Sequence, residues 1–219
     1  DGDTLQFGLG NVQHAFLENL TNHRDLKIHA GMISDPLASL LHNEVISTGA
    51  DVVTTGVAIG TDALYQVCRT ERRISFKPVE HTHAMSTLST IPRLKAINSA
   101  IEVDLFGQAN AEYINGQQVS GTGGLVDFLR GATTSRGGRG VIALVSSAKK
   151  GTISRIVPQL TSPTVSIARA DMDTVVTEHG VADLKNKSID ERATSLIGIA
   201  PPQFRDQLSQ EWDRIRSNL

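Results

Sequence analysis

The stretch SGTGGLVDFLRGA, residues 120–132, sets three glycines directly before an amphipathic run. Gly121, Gly123 and Gly124 permit backbone angles that side chains forbid, so the chain can turn sharply and let a ligand approach its main chain. Leu125, Val126, Phe128 and Leu129 follow at helical spacing, with Gly131 as a stop. A glycine loop that opens a helix points free N–H groups at one spot, which suits a phosphate, a carboxylate or an oxyanion. The same glycines also make an ordinary tight turn, and spacing alone does not separate the two. A second such loop, FGLGN, follows the first apolar run and holds Gly8, Gly10 and Asn11. Position 13 is Gln where the G-x-G-x-x-G fingerprint has its third glycine. That disfavours a dinucleotide site and leaves a less specific phosphate or pantetheine contact.

Other residue pairs suggest chemistry of their own. Glu102 and Asp104 share one face of a predicted strand, opposite Ile101 and Val103. Two neighbouring carboxylates can split their pKa values and do acid–base work, or simply face solvent. Lys149 and Lys150 stand at a strand end before Gly151. Open α/β sheets bind ligands at strand carboxyl ends, and a lysine there meets a phosphate as a point charge. A solvated turn is the alternative. His81 and His83 would lie on one face of an extended HTH segment. A metal needs two further ligands, and no spacing brings His29, Glu102 or His179 to them, so no metal is expected. Glu178 and His179 are adjacent, which on a strand sends them to opposite faces and makes a poor catalytic pair. The chain has no G-x-S-x-G elbow, which argues against Ser–His–Asp hydrolysis.

The elements that must position these groups alternate. TLQF, LKIHAG and ADVVTTG read as strands. Between them lie helices carrying Val12, Phe16 and Leu17, then DPLASLLHNEVIST with Asp35 as N-cap and Pro36 in the first turn, then GTDALYQVCRT. Farther on, LKAINSAIEVDLFG, VIALVSS and TVSIARA read as β-rich runs, and two helices close the chain. Ser188 with Glu191 predicts a capping box. This order predicts an α/β protein, parallel in its first half and mixed in its second, as one domain over residues 1–219. The net charge of −2 disfavours nucleic acid and anionic membrane as partners. Cys68 is the single cysteine, which leaves no internal disulfide and suits a reducing, cytoplasmic setting. It reads as a small buried hydrophobe rather than a nucleophile. No apolar run reaches membrane-span length and no signal peptide opens the chain. An opening Asp in place of Met reads as part of something longer.

Taken in order, DGDTLQFGLGNVQHAFLENL, INSAIEVDLFGQANAE, SGTGGLVDFLRGA, SRIVPQL and VVTEHGVADLKNKSIDERATSLIGIAPPQFRDQL resemble the C-terminal domain of the acetyl-CoA hydrolase/transferase family. Its members include acetate, succinate and 4-hydroxybutyrate CoA-transferases. The resemblance implies a CoA-transferase-like, three-layer α/β domain of the NagB/RpiA type, with a mixed, largely parallel sheet flanked by helices. It implies an N-terminal domain of the same parent protein, with the acyl-CoA between the two, and a homo-oligomer. A CoA thioester would be the substrate and a carboxylate or water the acceptor. The N–H of Gly124 would stabilise the oxyanion, beside Gly121 and Gly123. Lys149 would meet the CoA phosphates, and the turn carrying Gly8, Gly10 and Asn11 would lie along the same CoA.

In the family a glutamate attacks the thioester, in a segment like His-Thr-Glu-Met shortly before an Asp. The matching segment is IHAGMISD, and the glutamate position is Gly31. Glycine cannot form an acyl anhydride, so the nucleophile does not carry over. Three expectations follow. Water or the acceptor attacks directly at Gly124, with Glu102 or another carboxylate as base. Or Glu102 itself becomes the nucleophile. Or the domain binds CoA esters without turning them over, as a sensor or degenerate subunit.

Overall fold

Every residue of TLQF is buried, as a central parallel strand covered on both faces requires. In the computed structural model, which describes residues 1–8 and 10–219, this run is strand β1, Thr4–Phe7. The chain forms two compact units, residues 1–98 with 127–140 and residues 99–126 with 141–219.

The first unit continues with helix α1 (Asn11–Glu18), β2 (Lys27–Ile33), α2 (Pro36–His42), β3 (Val53–Ala58) and α3 (Asp62–Thr70). After β4 (Ile74–Phe76) come two single-turn helices, α4 (Val79–Thr82) and α5 (Met85–Leu88), and then β5 (Leu94–Asn98). The strands lie in the order β5-β1-β2-β3-β4, all parallel. Leu17, Ile28, Ile33, Leu37, Leu40 and Leu64 are sealed within its main core. Cys68 is only half-buried against that core, and burial pushes its thiol pKa up. Between β1 and β5, the buried Gln6 and Asn98 exchange amide hydrogen bonds of 3.2 and 2.9 Å, so neither is left unsatisfied. Helix α6 (Leu125–Thr134) enters this unit from residue 127. A Cβ at Gly131 would press into Leu88, so glycine here permits close helix packing inside α6 rather than ending it.

The second unit is built of short strands. Strand β6 (Glu102–Asp104) pairs antiparallel with β7 (Ala109–Asn110). Strands β8 (Tyr113–Ile114) and β9 (Gln117–Gln118) make a hairpin turned by Asn115 and Gly116, both at positive φ. Past β10 (Arg139–Ala143) come β11 (Ser147–Ala148), β12 (Ile153–Ser154) and β13 (Ile156–Val157), the last parallel to β6. Strand β14 (Thr174–Thr177) runs parallel to β10 and antiparallel to β15 (Gly180–Asp183). Helices α7 (Ile189–Gly198) and α8 (Arg205–Arg216) close the chain. The Ser188–Glu191 capping box is present in both directions. Ser188→Ala is expected to cost about 1 kcal/mol, read as a lowered midpoint in urea unfolding.

Four local expectations are corrected. TVSIARA is not a strand, because Ile167 makes only one isolated bridge, to Ala109. Ser166 Oγ takes the Ala111 N–H and donates to Glu112, so side-chain bonds replace the ladder. LKAINSAIEVDLFG is two strands, β5 and β6. The second helix stops at His42, well short of Thr48. Asp35 holds the N-cap position but does not cap; its carboxylate turns to Thr61 instead.

Candidate active site

At the carboxyl ends of β1 and β2, Gly8, Gly10 and Asn11 line one cavity of about 330 Å³ together with Ser34 and Asp35. Leu9 lies outside the described residues. Gly10 sits at φ +134°, and a Cβ there would meet Gln13 Oε1 at 2.9 Å, so the turn into α1 requires glycine. The Asp35 carboxylate takes the Thr61 N–H at 2.9 Å and its hydroxyl at 2.8 Å. Those bonds, the backbone one first, hold its pKa below the ordinary carboxylate value. A carboxylate in this cavity repels phosphate and accepts N–H groups. A larger cavity of about 660 Å³ lies at the amino ends of the same strands, beside Asp25, Glu44 and Arg73. Its Arg73–Glu71 pair, at 2.6 Å, is already satisfied, and ligands in such sheets gather at the other end.

Position 31 lies on the same face of β2 as His29, two residues away. A Cβ there would stand 2.7 and 2.8 Å from Cε1 and Nε2 of His83 and 3.5 Å from Phe128. The His83 ring therefore fills the space that a side chain at 31 would take. On β3, a Cβ at Gly56 would meet the Gly31 carbonyl at 3.0 Å and Thr82 Oγ of α4 at 3.8 Å. HTH is thus a helical turn, not the extended segment expected, and its two histidines part. The His81 ring lies 5.9 Å from His29 and the His83 ring 4.8 Å from Phe128. His29 Nε2 donates to the Thr82 carbonyl at 3.0 Å. Burial pushes the His29 pKa down, the Thr82 bond opposes this in part, and His81 and His83 lower it further. Among the described residues, no group of three or more His, Cys, Asp or Glu is arranged to hold a metal ion.

In the second unit, Gly121 and Gly123 are exposed with open space where their side chains would stand, and Gly123 sits at φ +49°. The Leu125 N–H closes the turn on the Thr122 carbonyl at 3.2 Å. Gly124 is half-buried immediately before α6, and among the described residues its N–H has no hydrogen-bond partner.

Glu102 and Asp104 do share a face of β6, but their tasks differ. Asp104 is buried and takes the Phe106 and Gln108 N–H groups at 3.1 and 2.8 Å, with the Gln108 side chain at 3.0 Å. Burial raises its pKa against those bonds. It organises the turn into β7. Glu102 is half-buried and accepts one bond, from Asn110 Nδ2 at 3.1 Å. Lys149 and Lys150 follow β11 in a tight hairpin turn, at φ +48° and +58°. Two consecutive non-glycine residues in the left-handed region are strained, and both side chains are exposed.

Glu178 and His179 sit in the two-residue turn between β14 and β15, not on a strand. The Glu178 carboxylate clasps Ser146, taking its N–H at 2.8 Å and its hydroxyl at 2.6 Å. His179 meets the same carboxylate at 3.8 Å, so Glu stands between Ser and His, and the fully buried Ser146 is not activated. Burial raises the Glu178 pKa, but the Ser146 bonds outweigh it and leave it below the usual value. A depressed carboxylate stabilises the fold above its unfolded pKa of about 4.3 and loses that contribution as pH falls through the folded value. Wild type should thus lose more thermal stability than Glu178→Gln on acidification below that point, read by melting curves across pH.

The fold and the open glycine loop define an α/β protein of the CoA-transferase kind. The chain belongs to the acetyl-CoA hydrolase/transferase family, whose C-terminal-domain model matches residues 60–212. It is 40% identical over 220 residues to the 4-hydroxybutyrate coenzyme A transferase of Clostridium kluyveri, covering 98% of this chain and 51% of that protein. It is 38% identical over 216 residues to the succinyl-CoA:cyclohexane-1-carboxylate CoA transferase of Geobacter metallireducens, covering 96% and 49%. The crystal structure of RipA from Yersinia pestis superposes with a TM-score of 0.92 at 34% identity, over 99% of this chain and 50% of that one. The chain therefore spans about half the length of the curated relatives it matches. No helix among the described residues is long and apolar enough to cross a membrane.

The sequence singled out His83 only with His81, as an imidazole pair that reads as ordinary hydrogen-bonding histidines, and not as a partner of Gly31. Its one signal is the pairing of Gly31 with an imidazole 52 positions later, and only the sheet brings the two together.

Proposed function

We infer that the full-length protein carrying this chain binds an acyl-CoA thioester and moves its acyl or CoA group to a carboxylate or to water. The observation that carries this reading is the Gly124 N–H, which has no hydrogen-bond partner among the described residues and follows the open positions 121 and 123, in a chain of this family. An N–H fixed before the reaction begins stabilises charge as it develops on the thioester oxygen, whereas a simple binder gains little from it. Gly121 and Gly123 keep that loop free of side chains. Gly8, Gly10 and Asn11 bind the pantetheine arm and Lys149 the CoA phosphates, with Glu102 a base for the attacking group. The other half of the parent protein, corresponding to the remaining half of the relatives, completes the site.

The test is free-thiol release by the full-length protein from acetyl-CoA and succinyl-CoA, with and without acetate. Acyl exchange that depends on acetate identifies a transferase, and release that ignores it a hydrolase. Lys149→Ala is expected to weaken CoA binding about tenfold, the effect of losing one charge-assisted hydrogen bond. Calorimetric titration with CoA reads it, and an unchanged affinity rejects the phosphate role. Gly31 favours a second reading, a CoA-ester-binding domain without turnover, because this position supplies no carboxylate. Tight CoA binding with neither thiol release from any acyl-CoA nor exchange onto acetate would select it.

A further inference from the structure

His83 is held in a specific orientation at an open place in the sheet. Thr82 Oγ lies 2.8 Å from His83 Nδ1 and 3.5 Å from the Pro78 carbonyl. The shorter contact engages Nδ1 and fixes the ring, and Nε2 is the ring nitrogen that it leaves for other chemistry. It is also one of the two ring atoms that would touch a side chain at position 31, where there is none. Thr82 is fully buried, so the orienting group is fixed, while His83 and Gly31 are half-exposed. The neighbouring titratable groups are His29, which faces the other side of Thr82, and His81.

We propose that His83, lodged over Gly31 and oriented by Thr82, is the general base of a water-dependent acyl-CoA hydrolysis. The proposal rests on the acyl-CoA reading above, narrows it to hydrolysis and puts His83 in place of Glu102 as the base. His83 Nε2 takes a proton from water as the water oxygen bonds to the thioester carbon. The C–S bond then breaks, and the departing thiolate recovers the proton from the imidazolium. The products are free CoA thiol and a carboxylic acid that ionises in solvent. No residue is acylated, so no carboxylate at position 31 is required. An oriented neutral imidazole is the usual group for this task at neutral pH.

The experiment is steady-state acetyl-CoA hydrolysis by full-length wild type, His83→Ala and Thr82→Val, each checked for CoA binding by calorimetry. His83→Ala should lose about 10²–10⁴-fold in kcat with KM little changed, and free imidazole should restore part of the loss. Thr82→Val keeps the ring but loses its orienting oxygen and should fall between. Rescue by imidazole separates a chemical role from a packing one. Hydrolysis by wild type with kcat intact in His83→Ala overturns the assignment to His83 and leaves the acyl-CoA reading standing. A wild type that exchanges acyl groups onto acetate but releases no thiol overturns the hydrolysis proposal alone, and one that binds CoA and does neither overturns both.

Discussion

Gly124→Pro is expected to lower kcat for acyl-CoA turnover by about 10²–10³ and to leave CoA affinity unchanged. Proline removes the one backbone N–H assigned to the oxyanion and nothing else that the ligand needs. Residue 124 lies one position before the first residue of α6, next to the N1 site where proline is favoured. A proline there also restricts Gly123, at φ +49°, so unchanged CoA affinity is the check that the loop survives. Gly124→Ala is the control, since it adds a methyl but keeps the N–H. Steady-state kinetics with CoA titration distinguish the two. Equal losses in both variants would mean that residue 124 matters for space and not for its hydrogen bond.

The second large effect is expected at position 31. A Cβ there collides with the His83 ring at 2.7–2.8 Å, so any side chain must move the imidazole. Gly31→Ala alone should cost about 1–3 kcal/mol, as overpacking does, and should disable His83 at the same time. Gly31→Glu combined with His83→Ala has room for the carboxylate that the family resemblance places here. This double variant should trade hydrolysis for acetate-dependent acyl exchange. A glutamyl-CoA thioester at residue 31 should be trapped by borohydride and found by intact mass. Gly31→Glu with His83 retained should show less of this adduct, because glutamate and imidazole compete for one space. An adduct at Glu102 in either variant would assign the nucleophile to β6 instead.

Several elements were legible in the sequence because their causes are local. Buried, unbroken TLQF gave β1, Ser188 and Glu191 gave the reciprocal cap of α7, and the glycine loop stands directly before α6 as its spacing implied. TVSIARA misled because its apolar and β-branched residues signal a strand, whereas Ser166 spends its bonds on Ala111 and Glu112. Asp35 misled in the same way: Thr61, 26 residues later, competes successfully for the carboxylate that a cap would use.

By itself, then, the sequence determined the family, the strand–helix order, the open glycine loop and the lack of a carboxylate at residue 31. Those are matters of residue type and short spacing, which local sterics and hydrogen bonding settle. Only the tertiary structure decided what occupies the space beside Gly31, which carboxylate of the Glu102–Asp104 pair is tied up in a turn, and that Asp35 charges the cavity by Gly8 and Gly10. The first and last depend on groups far apart in the chain that the sheet brings within a few ångströms, and the Asp104 case depends on how one tight turn folds. Side-chain volume and hydrogen-bond competition act at that distance, and no periodicity along the chain records them.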